Sequence, residues 1–420
     1  MGRSLRSRGH RRQVLLTRIV RFPAPAASPQ PTVKLASHVW PGGSVATNRT
    51  SRACRRYGPT SANFGLTQRV ACGALRDSRF TRPVASLPDS LEPAVVSPVT
   101  LGDILNSDRN FKTDRNQEQT GIREPNLPSH FLDAGARPRS MRVLVTGSRG
   151  LIGESVVGLL SAAGHTVVEY DLRNSQDILD PATLLKAIRN CNAVVHAAAL
   201  LGRPGEGSED IMAVNVLGTW NVLAACSEVR VQRLVFLSSV DALGIFKGER
   251  SPDYLPLDND HPCYPATPYA ISKYLAEEMC RLASESYGFP VVCLRPPGVW
   301  TEDTYAMIEA ERSKRPEFEW HPYWEYGAFI DVRDLACACL NALTCDTKGF
   351  SRILVSSADI TTSGKASREL AQTLCPGADW RGDAGYEEDP YRTLMDLDPA
   401  RELLGWSPKH TWRRFIDDRE

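Results

Sequence analysis

Residues 141–153 read MRVLVTGSRGLIG, an apolar run closed by glycines at 147, 150 and 153. RVLVTG has the β-branched, uninterrupted apolar character of a strand buried on both faces. Glycines in the turn that follows let the backbone bend sharply and approach a pyrophosphate, whose charge is stabilised by amides at a helix N-terminus. The helix is expected to open at about Leu151. Asp171 stands 24 residues beyond Gly147, closing a second apolar run, HTVVEYD. An acid there is placed to accept hydrogen bonds from an adenosine ribose. Strand, turn, helix and acid together predict a dinucleotide site containing Gly147, Gly150, Gly153 and Asp171. The Asp171 carboxylate would repel a 2′-phosphate, which favours NAD over NADP. Arg149 and Arg173 could instead reach such a phosphate, and the sequence leaves that alternative open.

Outward from this stretch the pattern repeats. RVLVTG, HTVVEYD, NAVVHAA, RLVFLSS, PVVCLRP and RILVSS read as strands, and ESVVGLLSAAG, PATLLKAIRN, IMAVNVLGTWNVLAACSE and a segment from Thr267 to Leu282 read as helices. Apolar strands alternating with helices predict an α/β fold, a doubly wound parallel sheet with both faces covered. Any ligand then lies outside the carboxyl ends of the strands.

The chain of 420 residues is 42% hydrophobic, enough for a substantial core. No apolar run is long enough for a membrane span, so the protein is expected to be soluble, with no membrane partner. Eleven cysteines, an odd number, sit mostly in apolar runs such as VVCLRP and DLACACL, without metal-ligand spacing. Buried reduced thiols and a reducing compartment are expected, and Cys337 and Cys339 read as packing residues, with no metal site.

Charge divides the chain. Residues 1–76 hold no Asp or Glu and about 14 Arg and Lys, leaving the remainder clearly acidic. Residues 1–140, rich in Arg, Ser, Pro and Ala, are expected to form a disordered segment ahead of a folded 141–420 domain. Three explanations stand open for it: an extension upstream of a natural start at Met141, a mitochondrial transit peptide, or a functional basic tail. A nucleic-acid-binding arm fits the charge but lacks interleaved aromatics and a folded reader, so no nucleic-acid partner is expected. The compartment is cytoplasmic, or mitochondrial if the segment is a transit peptide.

The segment TPYAISKYLAEEM, residues 267–279, sets Tyr269 and Lys273 four apart on one helix face. Thr267 can cap that helix and Pro268 suits its first turn, which brings Tyr269 near the positive end of the helix dipole. Ile271, Leu275, Met279 and Leu282 form a separate apolar stripe for packing. The Tyr–Lys spacing alone is weak; its company is what counts. TGSRGLIG, the pair Asp177-Ile178, VVHAAA, VNVLGTWNVLAAC, FLSSVDALG, PYAISK, LRPPGVW, FIDVRDLA and LLGWSPKHT follow in order. This series resembles the extended short-chain dehydrogenase/reductase family, the NAD-dependent sugar epimerases and dehydratases, over nearly all of residues 141–420.

The resemblance implies a Rossmann sheet with VVHAAA as its fourth strand and LRPPGVW following its sixth. It implies a small C-terminal substrate lobe, mainly 296–330 and 360–420. Cofactor contacts would come from Gly147, Arg149, Gly150, Leu151, Ile152, Gly153, Asp171, Asp177, Ile178, Ala197, Ala198, Pro296 and Val299, together with Tyr269 and Lys273. Ser239, with Ser238 as the lesser candidate, would bind the substrate oxygen, and Tyr269 would take or return its proton. Lys273 and the positive nicotinamide would favour the phenolate, and Asn215 would support the active-site helix; a plain capping or intrahelical role for Asn215 stays open. A homodimer through the two long helices is also implied.

Only about 35 residues separate Arg295 from Asp331, which suits a small, sugar-like substrate better than a large nucleotide sugar. Uronate dehydrogenase-like members have a comparably reduced segment. The stretch carries Trp300, Tyr305, Phe318, Trp320, Tyr323, Trp324 and Tyr326 with Arg312, Lys314 and Arg315 among them. Most of these aromatics are expected to pack the lobe. His261 and His321 receive no catalytic role. Arg333 and Asp334 either anchor the lobe or meet an anionic substrate, and the sequence does not choose. The expected activity is NAD-linked hydride transfer at a secondary alcohol or hemiacetal, with a redox-neutral epimerase or dehydratase and a dinucleotide sensor as the alternatives.

Overall fold

The computed structural model describes residues 140–246, 250–315, 319 and 325–418. The expectation for 1–140 falls outside these residues but for Ser140, as do Phe318, Trp320, His321, Tyr323 and Trp324. Six parallel strands form the main sheet: β1 Arg142–Thr146, β2 Thr166–Tyr170, β3 Ala193–His196, β4 Arg233–Leu237, β5 Val291–Arg295 and β6 Phe350–Leu354, in the order β2-β1-β3-β4-β5-β6. These are the six runs expected from sequence. VVHAAA is the third strand in chain order rather than the fourth, and LRPPGVW completes and follows the fifth. The segment after β2 forms a 3-10 turn, Leu172–Asn174, and the Asp180 cap of a helix, so no strand intervenes there.

Period-two alternation sorts the strand side chains onto two cores. Val143, Val145, Val235 and Leu237 face helix α1, Leu151–Ala162, and a helix over Val332–Thr344. Leu144, Val194, Leu234 and Phe236 face the opposite layer. That layer contains α2, Pro181–Ile188; α3, which is α-helical over Ser208–Met212, π-helical over Ala213–Gly218 and α-helical again over Thr219–Val229; and α4, Pro268–Tyr287. Each large aliphatic side chain so buried contributes about 1.5–3 kcal/mol.

Helix α4 departs from its expected packing. Thr267 caps it by accepting from the Ala270 amide, with Pro268 in the first turn. Its buried face, however, is Ala270, Lys273, Ala276, Glu277, Cys280 and Ala283. Leu275 and Leu282 of the apolar stripe are 38% and 51% exposed. Small residues let the helix lie close to the sheet and turn its large ones outward.

After β5, residues Val299–Trp300 pair with Ile330–Asp331, and α5 spans Glu302–Lys314. The Val332–Thr344 helix is α6. A third apolar cluster joins Val240, Leu243, Leu255 and Leu257 to Tyr326, Ile360, Leu370 and Leu394, so the lobe also draws on residues ahead of α4.

Candidate active site

Gly147 ends β1 with φ +67°, and its amide donates to the Tyr170 carbonyl at 2.9 Å. A Cβ here would lie 2.7 Å from the Ala198 amide nitrogen; one on Gly153 would lie 2.0 Å from the Gly147 carbonyl oxygen. Both positions therefore require glycine: the first so that Ala197 and Ala198 can close on the turn, the second so that α1 can press against it. Gly150 is the N-cap of α1 and Leu151 its first residue, more than half exposed; Ile152 is half-buried beside it. The crevice lies where β1 is flanked by β2 and β3, the point at which strand order reverses.

Asp171 is tied to this loop. Its carboxylate accepts from the amides of Arg149 at 3.0 Å and Arg173 at 2.9 Å. The Arg149 guanidinium pairs with Glu169 at 3.0 Å, and that of Arg173 donates to the Arg149 carbonyl. Asp177 accepts from the Leu179 amide, and Ile178, 5% exposed, lies under Gly218 of α3. The cradle that any Cβ at 147 or 153 would fill, with an acid at the end of β2, fits an adenine dinucleotide. The two arginines that could meet a 2′-phosphate are engaged within the loop.

Across the crevice, Ser239 follows β4 and caps a turn by accepting from the Asp241 amide at 3.1 Å. It neighbours the Tyr269 phenol and favours that group's ionised form. Ser238 points elsewhere: its hydroxyl donates to Glu277 at 2.5 Å in the interior. Lys273, 4% exposed, donates to the Leu237 carbonyl at 2.7 Å and lies 5.8 Å from the Tyr269 ring centre. The Pro296 carbonyl accepts from the Val240 amide, and Val299 leads the short strand beyond it.

The phenol is not lowered in the protein alone. Burial pushes Tyr269 well up, followed by the charge of Asp241; Ser239 opposes this, and Glu325 and Glu206 add to the rise. Burial brings the Lys273 ammonium down to about 8 against an upward pull from Glu277. The ammonium is turned toward β4, where it donates to the Leu237 carbonyl, so burial and the carboxylate charges decide the phenol's direction. Glu206 is fixed by the amides of Leu201, Gly202 and Arg203, and Glu325 by that of Gly298 at 2.9 Å.

Asn215 sits in the π-helical turn of α3 and braces separate elements. It accepts from the Leu200 amide, donates to the Leu200 carbonyl, and donates to Ser272 at 2.9 Å; Ser272 in turn donates to the Tyr269 carbonyl. Behind it runs a buried chain, Thr146–His196–Thr219–Asn215. Burial lowers His196 to about 3, so this ring is neutral. Sequence reasoning missed that chain. It also missed Glu277, which is fully buried and gathers Ser238, Arg295 at 2.7 Å and Arg352 at 3.0 Å. Glu277 lies one turn beyond Lys273 on the same helix face, which is the only sequence signal it gives.

Elsewhere, Trp300, Tyr305 and Tyr326 are buried and pack the lobe. Arg333, exposed, pairs with Asp331 and Glu302, while buried Asp334 accepts from the amides of Lys409 and His410 and anchors them. His261 accepts from the Asp253 amide.

Residues 143–354 match the family described as NAD dependent epimerase/dehydratase. The chain belongs to that family. It is an NAD-dependent enzyme of that family, with NAD as its cofactor. A putative UDP-glucose 4-epimerase of Methanocaldococcus jannaschii is 28% identical over 298 residues, spanning 64% of this chain and 93% of the relative. A UDP-glucose 4-epimerase of Azospirillum brasilense is 27% identical over 320 residues, 64% of this chain and 88% of its own. Among solved structures, a short-chain dehydrogenase/reductase superfamily protein of Agrobacterium tumefaciens with bound NAD superposes with a TM-score of 0.50 at 24% identity, covering 66% of this chain and 95% of that one. Among the described residues no helix is long and apolar enough to cross a membrane.

Proposed function

We propose that the enzyme moves a hydride between NAD and a carbinol carbon of a small, sugar-like substrate, with Ser239, Tyr269 and Lys273 as the proton-transfer set. The observation that carries this is that Ser239, Tyr269 and Lys273 come together at the carboxyl end of β4, the same edge of the parallel sheet as the glycine turn that follows β1. Bound NAD supplies the hydride acceptor. Gly147, Arg149, Gly150, Leu151, Ile152 and Gly153 would line its pyrophosphate side, with Asp171, Asp177 and Ile178 toward adenosine and Ala197, Ala198, Pro296 and Val299 along the crevice. Ser239 donates to the substrate oxygen, Tyr269 takes the proton as the carbon is oxidised, and Lys273 supplies the compensating charge. Asn215 holds the first turn of α4 so that the phenol keeps its place.

The carboxylates of Asp241, Glu206 and Glu325 around Tyr269 favour neutral hydroxyls at the reacting centre. By charge they weigh against an anionic sugar such as a uronate, most strongly where its carboxylate would lie near the reacting carbon. A redox-neutral epimerase is the second reading, favoured by the UDP-glucose epimerases among the relatives; in it the same first transfer is followed by return of the hydride. The outward face carrying Leu217, Trp220, Leu275 and Leu282 supports a homodimer through α3 and α4, which light scattering checks against a monomer mass.

The test is incubation of the protein and NAD with neutral aldoses, uronates and nucleotide sugars, measuring both nicotinamide reduction and product configuration. Net reduction with a neutral sugar supports the dehydrogenase. An isomerised product without net reduction selects the epimerase. Turnover confined to uronates overturns the reading of the acidic rim, and no reaction with any of them despite NAD binding removes the proposal.

A further inference from the structure

A cavity of about 450 Å³ opens in the C-terminal lobe between α5, the Thr362–Gly364 loop and the closing helix Trp412–Asp417. None of its described lining residues belongs to the Ser239–Tyr269–Lys273 set. Arg312 lines it, and this arginine is unusual. The residue is 6% exposed and follows Tyr305 and Ile308 on the buried face of α5. One guanidinium nitrogen, Nη2, donates to the Thr361 carbonyl and hydroxyl, at 3.3 and 3.0 Å. Among the described residues, Nε and Nη1 have no hydrogen-bond partner.

A buried guanidinium with two unmatched donors is costly unless an acceptor, preferably an anion, completes it. The nearby Glu319 does not do so. Its carboxylate is taken up by the Thr362 hydroxyl and by the amide and hydroxyl of Ser363. Burial accordingly lowers Arg312, with Glu319 only partly opposing. Arg413, also at the cavity, is committed to Asp389 and Asp359. The remaining features describe the rest of a ligand. Arg312 lies 5.3 Å from the ring centre of Trp412, which offers a flat apolar wall together with Tyr391. Glu309 and Asp417 at the cavity disfavour a dianion or polyanion.

We propose that this cavity binds a small, singly charged organic carboxylate with a flat or hydroxylated body, its carboxylate on Arg312 and its body against Trp412. Nε and Nη1 lie on opposite sides of the planar guanidinium, so a carboxylate takes a single charge-assisted hydrogen bond from either of them, and a slight shift of the side chain brings that donor to the cavity. The site stands apart from the hydride-transfer reading and survives its failure.

The test is titration of the full chain with benzoate, gluconate and inorganic phosphate, followed by calorimetry and tryptophan fluorescence, with and without saturating NAD. Saturable benzoate or gluconate binding unaffected by NAD, weakened at least tenfold in Arg312→Gln, is expected; phosphate should bind more weakly than either. Ser313→Trp, an exposed position on α5 at the cavity, should also abolish binding while leaving the fold intact, which covers the case in which Arg312→Gln fails to fold. Absence of saturable carboxylate binding in the unaltered chain overturns the proposal, as does binding unchanged in Ser313→Trp. Phosphate binding more tightly than both carboxylates overturns the assigned ligand class.

Discussion

The glycine turn after β1 and the C-terminal lobe hold their parts in place by different means. In the turn, backbone does the positioning: Gly147 and Gly153 allow contacts that a single methyl group would forbid, and α1 follows without a side-chain cap. In the lobe, buried carboxylates hold backbone. Asp334 takes the amides of Lys409 and His410, Asp359 those of Trp412 and Arg413, and Glu319 the Thr362–Ser363 loop. Damage to the turn should therefore register in cofactor affinity. Damage to a lobe carboxylate should register in stability, with the cofactor still bound.

Five substitutions sharpen or break that contrast. Ser239→Ala should lower turnover roughly 10²- to 10³-fold with NAD affinity nearly unchanged, whereas its neighbour Ser238→Ala should mainly lower the melting temperature by releasing Glu277; equal kinetic losses in the two would refute the assignment. Gly153→Ala should weaken NAD binding about tenfold or more, the equivalent of ~1–3 kcal/mol of overpacking, as read by calorimetry. Asp334→Ala should destabilise the fold by about 1–3 kcal/mol, because two amides lose a charged acceptor, while the NAD dissociation constant stays within about twofold in denaturant and binding titrations. Asp241→Asn has the smallest expected effect. The Asp241 charge raises the Tyr269 phenol, so its removal lowers that group, and the rising limb of the pH–rate profile for substrate oxidation should move to lower pH by roughly half a unit to one unit.

The same contrast explains what the sequence disclosed. All six strands, the Leu151 helix start and the Thr267 cap were legible, because continuous apolar runs, glycine turns and capping residues are local signals. The Tyr269–Lys273 pair was legible by spacing and by the motifs around it. The His196–Thr219–Asn215 chain and the Glu277 cluster were not, since each joins residues from different elements and no local pattern marks the partners. The outward turn of Leu275 and Leu282 was misread because an apolar stripe on a helix does not say which surface it meets. The rise of the Tyr269 phenol comes from burial first and then from Asp241, Glu325 and Glu206, brought together only by the fold.

The most direct test of the central claim is rapid mixing of NAD-loaded protein with a neutral sugar substrate found in the panel, following nicotinamide absorbance in the unaltered chain and in Tyr269→Phe. Both the dehydrogenase and the epimerase readings predict formation of reduced nicotinamide, lasting or transient, in the unaltered chain and a loss of roughly 10³-fold in its rate in the variant. A variant that reduces NAD as fast as the unaltered chain would contradict the assignment of Tyr269 as the proton-transfer residue.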